Sequence, residues 1–300
     1  MTNSSMTPTP NPLPRMTTTD WSIPGSEGEA ILGNTHLPAR NIHVRGSLLI
    51  CHGFKGYKDY GFFPALADAA AQRGFIAHRF NFSHSGMTNR IETFERPDLF
   101  EADTFGKQIF DLQTVAAAVH RGEIPGARAG LPQAWFGHSR GGMAVLMTAA
   151  RPGSPAPRRV IAAAAPHTAW YLSVDQARML RAQGYLESPS ARTGQALRIG
   201  TAFLDELESD RDAYEPMKAI GQITCPILLV HGEADQTVPV ESARLLEKAA
   251  GGRAELNVIA DAGHTFEAPN PLPIGQPLPP ATRQMIDAVV GFSGDGGGED

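Results

Sequence analysis

The chain has 300 residues, 42% of them hydrophobic, enough to bury the core of one large α/β domain or two small ones; one is the expectation. A formal net charge of -5 and a pI near 6.1 leave no basic stripe for nucleic acid and no Lys/Arg-rich amphipathic segment for an anionic membrane surface. The longest apolar runs, 47–51, 160–165 and 227–230, fall far short of the roughly 18 residues of a membrane span, so a small-molecule partner is expected.

Residues 1–20 are rich in Thr, Pro, Ser and Asn, lack the apolar stretch of a secretory signal, and read as a disordered leader. From about Asn41 short apolar runs alternate with helical patterns, which predicts a mostly parallel central sheet with helices on both faces and one domain over 21–300. The predicted order is strand 46–51, helix 64–72, strand 75–80, a long helix 100–120, strand 134–137, helix 141–150 and strand 160–165. Between about 167 and 220 charged, helix-favouring sequence replaces the next strand, and this is a predicted cap insertion. Its middle, 184–200, suits a hairpin or a helix pair equally. The alternation resumes with strand 227–230, helix 240–250, strand 254–259 and helix 281–292, before a Gly-rich acidic tail, 293–300, expected to be mobile. Cys51 and Cys225 stand far apart, without CxxC or His/Cys spacing for a metal; buried free thiols and cytoplasmic residence are expected.

Gly137-His138-Ser139-Arg140-Gly141 lies between a predicted strand and a predicted helix, the setting of a nucleophile elbow. Glycines two positions either side of the serine avoid clashes in that sharp turn while the hydroxyl points outward. A serine needs a base oriented by a carboxylate, and the chain supplies both in the order Ser, Asp, His. Asp235 follows a strand in Gly232-Glu233-Ala234-Asp235, with Glu233 as the rival acid, and His264 follows the next in Asp261-Ala262-Gly263-His264. Both stand beyond carboxyl ends of strands, where open α/β sheets place their sites. His138 and His231 are expected to pack around them. For a developing oxyanion the backbone N–H of Arg140 and that of Phe54, in His52-Gly53-Phe54-Lys55-Gly56, are the candidate donors.

His-Gly-Phe after a strand, Gly-His-Ser-Arg-Gly-Gly, Gly-Glu-Ala-Asp with Val-Pro, and Ala-Gly-His together resemble the α/β-hydrolase superfamily in order and spacing, over roughly 46–292. Within it, the 48–56 segment and small cap look like bacterial cinnamoyl and feruloyl esterases and like the dienelactone-hydrolase and acylaminoacyl-peptidase-like branches, with departures at Lys55 and Arg140. The resemblance implies the α/β-hydrolase fold and a serine esterase without metal or organic cofactor. Ser139 would attack an ester of a small or aryl acyl group, His264 would act as base, and Asp235 would orient it. The same triad would serve a peptidase, thioesterase or lactone hydrolase, and a non-catalytic ligand-binding module is the rival from another class. His84, His167, Trp170 and Tyr171 are candidate pocket residues, although the last three could equally seat the cap. The Arg140 side chain could meet a substrate carboxylate or an internal Asp or Glu. Oligomeric state carries no sequence signature.

Overall fold

The computed structural model describes residues 16–294 except Ser154 and Ile274. Its elements are β1 (Thr17–Pro24), β2 (Ala30–Leu37), β3 (Gly46–Cys51), α1 (Phe63–Gln72), β4 (Phe75–Asn81), α2 (Pro97–Glu101), α3 (Phe105–Arg121), β5 (Gln133–His138), α4 (Arg140–Ala149) and β6 (Arg159–Ala163). There follow α5 (Val174–Gln183), β7 (Tyr185–Glu187), β8 (Arg198–Gly200), α6 (Thr201–Ser209), α7 (Pro216–Gln222), β9 (Ile227–Gly232), α8 (Glu241–Ala249), β10 (Ala254–Ile259) and α9 (Pro280–Gly294).

Eight strands form one sheet in the order β1-β2-β4-β3-β5-β6-β9-β10, and only β2 runs against the rest. The central strands are buried on both faces, which is why β3, β5, β6 and β9 read as apolar runs, while β4, equally buried, carries His78, Arg79 and Asn81. In β3, Leu48 and Ile50 face a core built with α1 and α9, while Leu49 and Cys51 face one built with α3, α4, α7 and α8. The chain runs from β3 to β4 on one side and returns to place β5 on the other. The helices after β3 and β5, α1 and α4, therefore leave toward opposite faces. A crevice opens at the carboxyl ends of these two strands, the switch point at which such sheets bind ligands.

Three expectations need correction. Thr17–Asp20, assigned to the leader, belong to edge strand β1; residues 1–15 lie outside the described residues. β1 pairs along its whole length with β2, and the Trp21 ring covers Gly33 opposite it so closely that a Cβ on Gly33 would overlap it. The helix expected over 100–120 is two helices, because Thr104 caps α3 by accepting from Lys107 N at 3.3 Å and the chain turns at Ala102–Asp103. The C-terminal tail is helical through Gly294, and 295–300 lie outside the described residues.

Of the two forms open to 184–200, the structure has the hairpin, β7 with β8. The 167–220 segment packs α5, α6 and the hairpin onto Phe105, Ile109, Met143 and Met147 of α3 and α4. Glu206 of α6 pins it there, accepting from Thr104 Oγ1 at 2.7 Å and Gly106 N at 2.9 Å. Its last helix, α7, instead joins the core under the sheet through Ile220. No helix among the described residues is long and apolar enough to cross a membrane. Cys51 is buried and Cys225 half-buried, both unpaired, and burial pushes both thiols up.

Candidate active site

Ser139 joins β5 to α4 with φ 55° and ψ -122°, a conformation that costs a non-glycine residue about 1–3 kcal/mol and is held by its surroundings. Its N–H donates to Ala163 O at 2.8 Å, tying the turn to β6. The flanking glycines are needed for space. A Cβ on Gly137 would overlap the Gly141 carbonyl, and one on Gly141 would overlap His52 O and lie 2.7 Å from Cys51 O. Gly142 lets α4 approach β6, since a Cβ there would stand 2.8 Å from that of Ala165.

The residues singled out for an acyl-transfer site converge. His264 Nε2 lies 3.1 Å from Ser139 Oγ, and His264 Nδ1 lies 2.7 Å from Asp235 Oδ2. A carboxylate only accepts, so Nδ1 carries the proton and Nε2 faces the hydroxyl as an acceptor. This relay can take a proton from the serine as the oxygen attacks. Asp235 is buried and uses both oxygens: Oδ1 accepts from Thr237 N and Val238 N, both at 2.9 Å, and Oδ2 serves His264. Burial alone would raise its pKa, but hydrogen bonds from His231, His264 and the Val238 N–H outweigh it and hold the carboxyl well below the usual range. The rival acid Glu233 is exposed. Gly232 lets the His264 loop cross the end of β9, because a Cβ there would overlap Ala262 O.

Three further histidines brace this arrangement. His138 Nε2 donates to His264 O at 2.8 Å, its ring 4.9 Å from that of His264; burial, then the neighbouring His264, push its pKa down to about 3 and keep it neutral. His231 Nε2 donates to Val238 O at 2.8 Å and stands 3.4 Å from Asp235 Oδ2. His52 had no role assigned from sequence. It accepts from Phe82 N at Nε2, 3.2 Å, so its Nδ1 holds the proton and donates to Gly53 O at 2.8 Å; burial pushes its pKa down to about 4. That bond shapes the loop carrying Phe54. Gly53 brings the loop against the elbow, since a Cβ there would lie 3.0 Å from Ser139 Cβ and 3.6 Å from Arg140 N.

The Arg140 side chain makes an internal pair. Its Nη2 lies 3.0 Å from Asp103 Oδ2, both groups buried, and its guanidinium carbon stands 4.6, 5.1 and 5.6 Å from the ring centres of Phe105, Phe203 and Phe54. Burial raises Asp103 to about 6 against the pull of Arg140. One cation thus joins the elbow, the start of α3, the 167–220 segment and the Phe54 loop. Asp103 gave no sequence signal, because it sits in what reads as an uninterrupted helix.

A cavity of about 180 Å³ adjoins Ser139 and His264, and Phe54, Lys55, Tyr60 and Arg192 also line it. Larger depressions lie elsewhere, one of about 440 Å³ beside His43, Arg45 and Arg159. The four proposed pocket residues are not among those lining the cavity at Ser139. His84 is buried between Ser83 Oγ (2.9 Å) and Glu27 Oε2 (3.1 Å), and His167 Nδ1 meets Ser242 Oγ at 2.9 Å. Trp170 stacks under Arg211 at 5.1 Å and borders a separate apolar groove with Leu172 and Val174. Tyr171 packs on Phe203 with ring centres 5.4 Å apart. Both contacts lie within the 167–220 segment itself. Among the described residues no three or more His, Cys, Asp or Glu side chains converge as a metal site requires.

The fold is shared with many solved structures. The esterase domain of a Rhodothermus marinus protein matches with TM-score 0.62 at 20% identity, covering 93% of this chain and 98% of that one. Est1E from Butyrivibrio proteoclasticus, with ferulic acid bound, matches with TM-score 0.65 at 16% identity over 89% and 95%. Dienelactone hydrolase from Anabaena variabilis matches with TM-score 0.60 at 17% identity over 93% and 97%. Comparison with curated protein sequences gives no match. The model of the Alpha/beta hydrolase family matches residues 48–273, three quarters of the chain, and the protein belongs to that family.

Proposed function

We propose that the protein is a serine hydrolase that cleaves carboxylic esters through an acyl-enzyme on Ser139. The carrying observation is the unbroken relay from Ser139 Oγ to His264 Nε2, at 3.1 Å, and from His264 Nδ1 to Asp235 Oδ2, at 2.7 Å, opening on a cavity. Ser139 attacks the ester carbonyl while His264 takes its proton and Asp235 stabilises the imidazolium. The oxyanion accepts from the N–H groups of Arg140, at the first turn of α4 where no carbonyl lies one turn back, and of Phe54. The alcohol leaves with the proton held by His264, and a water activated by the same base releases the acid and restores Ser139.

The fold likeness to esterases and to a dienelactone hydrolase agrees with this reading at the level of architecture. The experiment is Ser139→Ala. Ester hydrolysis and labelling by a fluorophosphonate probe are both expected to disappear while the far-ultraviolet circular dichroism spectrum is unchanged. Activity retained by the alanine variant would overturn the assignment.

A further inference from the structure

The charges around the Ser139 cavity are one-sided. Elsewhere buried cations meet carboxylates: Arg140 meets Asp103 at 3.0 Å, Lys58 meets Asp59 at 2.6 Å, and Arg79 also meets Asp59. Lys55 and Arg192, which are half-buried, meet no carboxylate. Lys55 Nζ donates to the Pro189 carbonyl at 2.9 Å. Arg192 donates to the Ile91 carbonyl and touches Met87 Sδ at 3.4 Å, its guanidinium carbon 4.7 Å from the Tyr57 ring and 5.3 Å from that of Phe94. Neither has an ion-pair partner among the described residues, and no Asp or Glu lines the cavity.

Both cations are held in place. Lys55 sits in the loop that carries Phe54, its backbone at φ 56°. Arg192 is clamped between two rings at the tip of the β7–β8 hairpin, where the Gln195 side chain both accepts from Phe94 N at 2.7 Å and donates to Phe94 O at 3.0 Å. Partial burial lowers the Lys55 pKa with no carboxylate to offset it, the signature of a desolvated charge lacking its counterion. Two positioned cations without an internal anion, beside a nucleophile, form an electrostatic recess for an anion brought by the substrate.

We infer that the substrate is an ester carrying its own carboxylate, which Lys55 and Arg192 receive while Ser139 meets the ester carbonyl. This rests on the serine-hydrolase reading above and adds a substrate class to it. The cavity's volume, about 180 Å³, is below the roughly 300–1,000 Å³ of pockets for drug-sized ligands, and it opens to solvent, so it suits a short carboxylate-bearing arm while the rest of the ester extends outward. The ester and the carboxylate are separate groups, so the hydrolysis itself is unchanged.

The test compares esters that differ by one charge. Mono-p-nitrophenyl succinate and its methyl ester place the charge on the acyl side, and 4-acetoxybenzoate and its methyl ester place it on the leaving side. Wild type is expected to favour the charged member of at least one pair by tenfold or more in kcat/KM, chiefly through KM, and less at high ionic strength. Lys55→Met and Arg192→Met should each lower that ratio several-fold and together bring it near one, whereas Lys55→Arg and Arg192→Lys keep most of it. Thermal midpoints check folding, and if the double variant does not fold the two single ones carry the comparison. Ser139-dependent turnover with the neutral member equal or better in both pairs overturns the inference alone, as does a ratio that survives the methionine substitutions. Absence of both Ser139 labelling and Ser139-dependent turnover of any ester overturns the hydrolase reading and the inference with it.

Discussion

Replacing Asp235 by Asn separates the charge of the proposed triad from its geometry. The Asn Oδ1 can go on accepting from Thr237 N and Val238 N, so the turn after β9 keeps its shape. The amide nitrogen then replaces the oxygen that now accepts from His264 Nδ1 at 2.7 Å, with His231 Nε2 at 3.4 Å. Both neighbours already present N–H groups, so donor faces donor. His264 escapes by moving its proton to Nε2, where it can donate to Ser139 Oγ but no longer take its proton. The equivalent wrong-tautomer substitution in a serine protease lowers kcat roughly 10⁴-fold. A similar loss here is about 5 kcal/mol of transition-state stabilisation. KM should barely move, because Asp235 lies behind His264 and outside the cavity lining. Steady-state hydrolysis of p-nitrophenyl acetate measures both constants, and Asp235→Ala, which also strands two backbone N–H groups, serves as the structurally damaging control. An Asn variant within tenfold of wild type in kcat, or one impaired only in KM, would refute the role given to Asp235.

The same carboxylate leaves a mark on acid stability. Its pKa is lower in the folded chain than in the unfolded one, so its stabilisation is complete above the unfolded value near 4 and is lost as pH falls toward the folded value. Urea midpoints between pH 5 and 2 should therefore fall less steeply for Asp235→Asn than for wild type, and parallel curves would contradict the hydrogen bonding described. Gly141→Ala drives a methyl group into His52 O and Cys51 O, both backbone, so the elbow and the Phe54 loop must separate. Its thermal midpoint should drop and its activity fall at least tenfold; a stable, active variant would mean the elbow yields cheaply. Asp103→Ala leaves the Arg140 guanidinium buried without its counterion, at a cost of about 3–5 kcal/mol in denaturant unfolding, and adding Arg140→Met should recover part of that loss.

The proposed site was legible where backbone geometry dictates residue type. Only glycine fits at positions 137 and 141, and the proposed nucleophile tops the turn between them, so the elbow is written in consecutive letters. Asp235 follows the plain apolar run of β9, and His264 follows β10, in which apolar residues alternate with Glu255 and Asn257. The N-terminal hairpin hid for the opposite reason. In β2 the buried Asn34, Thr35 and His36 hydrogen-bond to Asp20, His78 and Asp68, so a buried face reads as polar and the alternation that marks a strand disappears. Pocket residues hid because proximity to a strand end tells which edge of the sheet a side chain is near but not where it points, as Trp170 and Tyr171 illustrate.

Arg140 shows both regimes in one residue. Its N–H is placed by rank in the chain, directly after the serine, and could be assigned from sequence. Its guanidinium is placed by Asp103 and three rings contributed by three separate parts of the fold, so sequence left open whether it would meet a substrate or an internal acid. Because Asp103 matches that charge, Arg140 is withdrawn from recognition. Lys55 and Arg192, far apart in sequence and matched by no acid, are the cations among the residues lining the cavity. Their meeting depends on how the hairpin folds over the Phe54 loop, a tertiary juxtaposition that no local pattern encodes.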